Sequence, residues 1–488
     1  MERTPSLPMA LLPILATLAF LIVQLFYFGD FTPHIPIVMG ITVTGIVGYL
    51  HGYKWQDIQE GIFHVISVAL PSVSILLIVG MAVGVWIASG TVPSMIYYGL
   101  GLIDPAFFLA TAMLLCAFVS VSLGTSWGTV GTVGLALMGI GSGFDIPAYW
   151  TAGAVVSGAF FGDKISPLSD TTNLAPAVSG VDLFDHIRNL LPTTIPAMLI
   201  ALAIYVVAGF SVAGEGALSS EKIAGMTTGL EENFNISPVT LLPLLLVIVL
   251  AVRKMPAIPS LFAGVVLGGL IALFQGVGLH DIWTYAHSGY KIETSVSELD
   301  SLLNRGGVMS MTWLITLVLF ALGLGGALER TKCLQVILQV IVSGIRSFAG
   351  LQIFSTFSSI LTNAISGDVY LSITLPGRMF APAYRGIRYS TKNLSRALEE
   401  GGTLISPLIP WNVGGAFVIS ALGLGIVDGT NLENLWYIPL AFACWISPLL
   451  GIVYALLGKF SPKASEEEVA QWHEKGEEIF ETGLSDRK

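Results

Sequence analysis

Residues 162–173 read GDKISPLSDTTN, a polar dozen between the apolar flanks TAGAVVSGAF and LAPAVSG. Asp163 and Asp170 carry its negative charge, and Lys164, Ser166, Pro167, Ser169, Thr171, Thr172 and Asn173 surround them. Carboxylate, hydroxyl and amide oxygens together make the hard shell that suits Na⁺. A carboxylate in a low-dielectric setting can instead hold a proton near neutral pH. One group that takes either ion is an exchanger in miniature. Pro167 removes a backbone donor and disfavours helix at the residue before it, so the dozen reads as a break between two helices. Ser166 and Ser169 can satisfy the backbone groups that the break frees. Lys164 has three readings: ion-pair partner of Asp163, holder of an anionic substrate, or displaceable internal cation. The plainer alternative for the whole stretch is a capped loop outside any bilayer.

A second set of such residues lies about 240 positions further on. LISPL at 404–408 repeats KISPL at 164–168, and Asn412 follows it as Asn173 follows the first. Upstream of each is another polar interruption, SLGTSWGTVGT at 122–132 and LTNAISGDVYLS at 361–372. Asp368 is the further buried-carboxylate candidate, with Thr362, Asn363 and Ser366 about it. Thr403, Ser406 and Asn412 complete the second break, and Thr125, Ser126 and Thr129 supply hydroxyls from the first half. Taken singly, each hydroxyl is more often a helix–helix hydrogen bond than a ligand.

The setting makes these residues stand out. Of 488 residues 54% are hydrophobic and only 11% charged, against about 25% charged in a soluble domain. Mean hydropathy is +0.79. Long apolar runs recur from Met9 into the 450s, which defines an all-α polytopic membrane protein and excludes a soluble α/β enzyme. The 54 glycines fit close helix packing and breaks within helices. Expected spans are 9–28, 35–50, 63–87, 104–122, 147–162, 190–211, 238–252, 256–276, 309–328, 332–346, 350–364, 403–427 and 435–457. The stretches 123–142 and 365–377 read as half-helices or re-entrant pieces, giving 11 to 14 crossings. The first apolar run has no convincing cleavage site and reads as a span, not a removed signal.

Arg378, Arg385, Arg388, Lys392 and Arg396 read as one basic loop, and Arg253 with Lys254 as another. Both are cytoplasmic by the positive-inside tendency. The more acidic stretches 212–237 and 277–308 read as external, and the tail as cytoplasmic. With these sides assigned, matching spans of the two halves run in opposite senses. The expected units are an inverted pair of repeats, 1–234 and 235–458, followed by a tail at 459–488. Inverted repeats with broken helices mark secondary transporters.

Other chemistries fall away. GTSWG at 124–128 fits the nucleophile-elbow spacing, but its flanks are membrane helix and no histidine is tied to Ser126. There is no P-loop. Cys116, Cys333 and Cys444 show no disulfide or metal spacing and read as packing residues. No stretch resembles a nucleic-acid surface. A gated ion channel is the remaining reading from another class, since broken helices and buried acids occur there too.

SVSLGTSWGTVGTVG and GAFFGDKISPLSDTTNLAP resemble the NhaC family of Na⁺/H⁺ antiporters, and TNAISGDVYLSITLPGRMF and LEEGGTLISPLIPWN are similar to its later motifs. The similarity runs from about residue 9 to 457. It implies a prokaryotic plasma-membrane exchanger that moves Na⁺ out for H⁺ in, without cofactor. It implies Asp163 and Asp170 as the Na⁺ and H⁺ carriers, with Asn173 and Asp368 assisting. The partners are then the lipid bilayer, Na⁺ and H⁺, with a homodimer as a further assembly. The family also includes an exchanger of malate and lactate, and the residues alone leave that alternative open.

Overall fold

The computed structural model describes residues 4–29, 32–212, 216–294, 296–343, 345, 347–425 and 431–477. The ends of the expected spans at 346 and 427, and the tail beyond 477, lie outside the described residues. Among the described residues the fold is all helix, apart from one isolated bridge between Tyr389 and Lys463. Among those residues six helices are long and apolar enough to cross a membrane, or up to nine if each bent pair counts as one span. The expected count is higher because expected spans such as Leu7–Ile22, His34–Leu50 and Cys333–Ser343 form shorter helices, and two of the six long ones turn back instead of crossing.

The first such turn is a hairpin. Its descending arm is Phe108–Leu123; its return arm is Ser126–Thr129, a π turn at Val130–Gly134, and Leu135–Gly143. The arms meet at Gly124, which takes φ +65°, a conformation costly for any residue with a Cβ. Thr125 then caps the return arm by accepting from Gly128 N. The run expected to cross at 104–122 is therefore half of a re-entrant element. The second hairpin repeats the device with Phe348–Ser366 and Val369–Gly386. Gly367 takes φ +68°, and the Asp368 carboxylate caps the return arm on Leu371 N at 2.7 Å. The run at 350–364 is likewise an arm and not a crossing.

Each hairpin is followed by a broken crossing. The first is Ala148–Ile165, a kink at 166–169, and Asp170–Ser179. The second is Lys392–Gly402, a short turn at Ser406–Leu408, and Val413–Leu422, bent by 41°. Each hairpin tip lies on the break of its own half. A Cβ on Gly124 would strike Leu168, and Val413 N donates to Gly367 O at 3.0 Å. Small residues allow the close approach: Gly158 and Gly162 press the first crossing onto the arm Phe108–Leu123.

The two halves point in opposite directions. The helix Leu183–Val212 gives the scale. Near its start His186 bonds Ser395 and Asn189 bonds Lys392 O, at the foot of the second crossing. Near its end Phe210 meets Phe107, at the opening of the first hairpin. The second hairpin opens at the opposite face, where Phe348 stacks on Tyr389. The first crossing runs from the Phe107 face to Ser179, beside Gly377 and Arg385. The second runs from Lys392 to Leu422, whose carbonyl accepts from Arg305. The fold thus has inverted topology.

The expected basic loop is mostly helix. Arg378 and Arg385 lie in the second hairpin, and Lys392 and Arg396 in the second crossing. Arg396 is fully buried, its Nη1 donating to Phe460 O at 2.9 Å. The tail is also built in. Its helix Glu466–Glu474 docks on this face through Ser390 to Glu468, while Arg385 pairs with Glu477.

Candidate functional site

A break in a membrane helix leaves backbone groups that hydrocarbon cannot satisfy. In the first break Ser166 donates to Val121 O, and Thr172 donates to Asp163 O and Lys164 O. Asn173 donates to Pro167 O and Ser169 O. In the second break Ser406 donates to Asn412 Oδ1 at 2.6 Å, and the same oxygen caps Gly414 N. Asn412 Nδ2 donates to Asn363 Oδ1 at 2.6 Å, and Asn363 Nδ2 to Gly402 O. These side chains hold the two breaks in shape.

With the breaks self-satisfied, a small cavity of about 50 Å³ remains where the hairpins and crossings converge. Thr125 and Ser126 line it from the first hairpin, Asp163, Asp170 and Thr171 from the first crossing, Asp368 and Tyr370 from the second hairpin, and Thr403 from the second crossing. Asp163 is 5% exposed. Its Oδ2 accepts from Ser126 Oγ at 2.7 Å, and its Oδ1 has no hydrogen-bond partner. Thr403 Oγ1 is buried and unpartnered as well. A buried carboxylate with an open oxygen is costly unless a proton or a cation completes it. Trp127, stacked on Phe417 at 5.0 Å, forms an apolar wall.

The sequence candidates therefore divide. Thr125, Ser126, Asp163, Asp170 and Asp368 line the cavity. Ser166, Thr172, Asn363, Ser406 and Asn412 bond within the breaks. Asn173 is exposed and faces its own backbone. Thr129 donates to Thr125 O one turn back. Asp170 is an exposed rim residue, not a buried one, and its carboxylate accepts from Tyr370 OH. Tyr370 OH is in turn 2.9 Å from Ser72 Oγ on the long helix Trp55–Ala88. Among the described residues the acids form no cage of three metal-ligating side chains.

Lys164 is not the ion-pair partner of Asp163. It is fully buried, 3.6 Å from Glu400 Oε1, and donates to Ser447 Oγ at 2.8 Å. Sequence reasoning passed over Glu399 and Glu400, both fully buried. The available signal was their place inside ALEEGGTLISPL, directly ahead of the second break. Tyr370 and Ser72 gave no signal beyond their polarity.

A second, larger cavity of about 1000 Å³ opens towards the basic residues. Glu60 and His64 of the long helix, Glu329 and Arg330 of the helix Thr312–Arg330, and Arg378 and Met379 of the second hairpin line it. The same three helices line the small cavity one to three turns further in, through Ser72, Leu322 and Tyr370. Arg378 pairs with Glu329 at 3.0 Å in its wall.

Opposed hairpins and broken crossings that close on buried carboxylates define the class: a multi-pass membrane protein built as a secondary transporter. The chain belongs to the Na⁺/H⁺ antiporter family, whose signature matches residues 4–172 and 158–459. It is 40% identical over 460 residues to the Na⁺/H⁺ antiporter NhaC of Alkalihalophilus pseudofirmus, covering 94% of this chain and 97% of that one. It is 39% identical to the arginine/ornithine antiporter ArcD of Halobacterium salinarum, covering 96% of each. It is 35% identical to the malate-2H⁺/Na⁺-lactate antiporter of Bacillus subtilis, covering 94% and 96%.

Proposed function

We propose that this chain is a Na⁺/H⁺ antiporter that works by competition at Asp163. The observation that carries the reading is the geometry of that carboxylate. One oxygen takes the Ser126 hydroxyl, the other is buried without a hydrogen-bond partner, and the residue lines a cavity of about 50 Å³. By that measure a water needs at least about 10–15 Å³, so the space suits a partly dehydrated cation with a few waters, and not a four-carbon diacid. Na⁺ from the basic, cytoplasmic side passes the large cavity and displaces the proton. The repeats, divided near residue 235 with a tail from 459, exchange conformations, and Na⁺ leaves on the other side. A proton then neutralises Asp163 for the return. The unloaded, charged carboxylate does not make the passage, because its desolvation is too costly, and this enforces coupling.

Two relatives with organic substrates in their names keep a second reading in view. The larger cavity supports it, since it has room for such a molecule and sets Arg330, Lys332 and Arg378 beside Glu60 and Glu329. The deciding experiment uses purified protein in liposomes with a pH-sensitive dye inside and the voltage clamped. Proton movement driven by a Na⁺ gradient alone is expected. Movement only when malate, lactate or arginine is added would replace cation exchange by organic-solute exchange.

A further inference from the structure

The two halves build the small cavity from matching positions. Asp163 and Thr403 stand immediately before KISPL and LISPL, so each opens the break of its own half. Thr125 and Asp368 each follow a tip glycine, and each caps its return arm. Thr125 Oγ1 accepts from Gly128 N at 3.3 Å, and Asp368 Oδ2 from Leu371 N at 2.7 Å. All four residues line the one cavity. Their types cross over between the halves. The first half has threonine at the tip and aspartate at the break, and the second has aspartate at the tip and threonine at the break. The tip members are committed to their caps, and the break members are not. Among the described side chains lining this cavity, only Asp163 and Thr403 have a buried oxygen without a hydrogen-bond partner. Thr403 is 2% exposed, and its N–H serves the helix, donating to Glu399 O at 3.1 Å. The Glu399 carboxylate, one turn back, takes the Thr171 hydroxyl instead. A buried hydroxyl left this way forfeits its bonds to water, and a cation on its lone pairs offsets that cost.

We propose that the Thr403 hydroxyl is a Na⁺ ligand, the neutral counterpart of Asp163 from the other half, and that it favours Na⁺ over the competing proton. A proton is held by one carboxylate oxygen alone. Na⁺ needs several hard oxygens at once, and a hydroxyl adds one without burying a further charge. Thr403 therefore counts for Na⁺ and not for H⁺. Its position adds a second consequence. A cation shared by Asp163 and Thr403 is held by both broken crossings, so its binding is felt in both halves. This inference rests on the reading of Asp163 as the shared site and adds a ligand to it.

The test follows the rise in melting temperature that Na⁺ produces in purified protein in detergent, with choline replacing Na⁺ to hold ionic strength. Thr403→Val keeps the shape and removes the hydroxyl. It is expected to need about ten times more Na⁺ than wild type for the same rise. Thr403→Ala should behave alike and stands in if the valine variant fails to insert. Thr403→Ser returns the hydroxyl and should recover most of the affinity. Wild-type Na⁺ affinity in Thr403→Val or Thr403→Ala would overturn the ligand role, since a hydroxyl that only serves its own helix leaves Na⁺ binding untouched. A loss that Thr403→Ser does not recover would be one of shape, and would overturn it too. The Asp163 reading survives both results. A wild type that Na⁺ does not stabilise, or an Asp163→Asn variant that it stabilises equally, would overturn that reading and this inference with it.

Discussion

At the scale of single residues, Asp163 is held by one hydroxyl and otherwise left free to exchange partners. A fixed counter-ion would defeat it, and the structure keeps the nearest lysine for Glu400 instead. Competition has a definite consequence for pH. As pH rises, fewer protons contend for Asp163, so the apparent KM for Na⁺ should fall while kcat changes less. A KM constant across pH would exclude a shared carboxylate. Ser126→Ala removes a hydrogen bond to a charged group, worth about 1.5–3 kcal/mol, and should raise the KM for Na⁺ by about tenfold or more. Lys164→Met leaves Glu400 buried without its partner, at a cost of about 3–5 kcal/mol. Thermal unfolding in detergent should show that loss, with substantial recovery in the double variant Lys164→Met, Glu400→Gln.

At the scale of elements, the hairpin tips carry the design. Gly367 stands in the left-handed region with Ala321 against its missing side chain. Gly367→Ala should cost about 1–2 kcal/mol through the backbone alone, lower the melting temperature, and displace Asp368 from its cap on Leu371. An unchanged melting temperature would count against the tip geometry. The breaks themselves were legible in sequence, because Pro167 and Pro407 stand among small polar residues inside apolar runs. That the same runs turn back was only half legible. Gly124 and Gly367 offered a turn, but hydropathy cannot tell an arm from a crossing, since both are apolar throughout. The division of polar residues between holding a break and lining a cavity was not legible. Asn173 and Asp170 lie three residues apart and are both exposed, and only the kink decides that Asp170 rims the cavity while Asn173 bonds its own backbone. Glu399 and Glu400 gave no sign of their burial for a related reason: charge density along the chain does not report it.

At the scale of the whole molecule, inversion places the hairpins on opposite faces and leaves one face open. The large cavity lies on the basic face, and the small one beyond it is enclosed by the tips of both hairpins. This is the arrangement of a carrier open to one side at a time. Met379→Cys, in the wall of the large cavity, should react with a membrane-impermeant thiol reagent from the basic face and not from the other. Cys116, Cys333 and Cys444 are buried and should stay silent, so wild type serves as the blank. Equal labelling from both faces would speak for a continuous pore, as in a channel. The docked tail lies on the same face as the opening, through Glu468 and Glu477.

The most direct measurement compares wild type with Asp163→Asn, each reconstituted in liposomes and checked for insertion, under an imposed Na⁺ gradient. Asparagine keeps the shape and a hydrogen bond to Ser126 but binds neither a proton nor, with any strength, Na⁺. The expected result is Na⁺-driven proton movement in wild type and none in the correctly inserted variant. Wild-type exchange rates in Asp163→Asn would contradict the assignment of this carboxylate as the shared site.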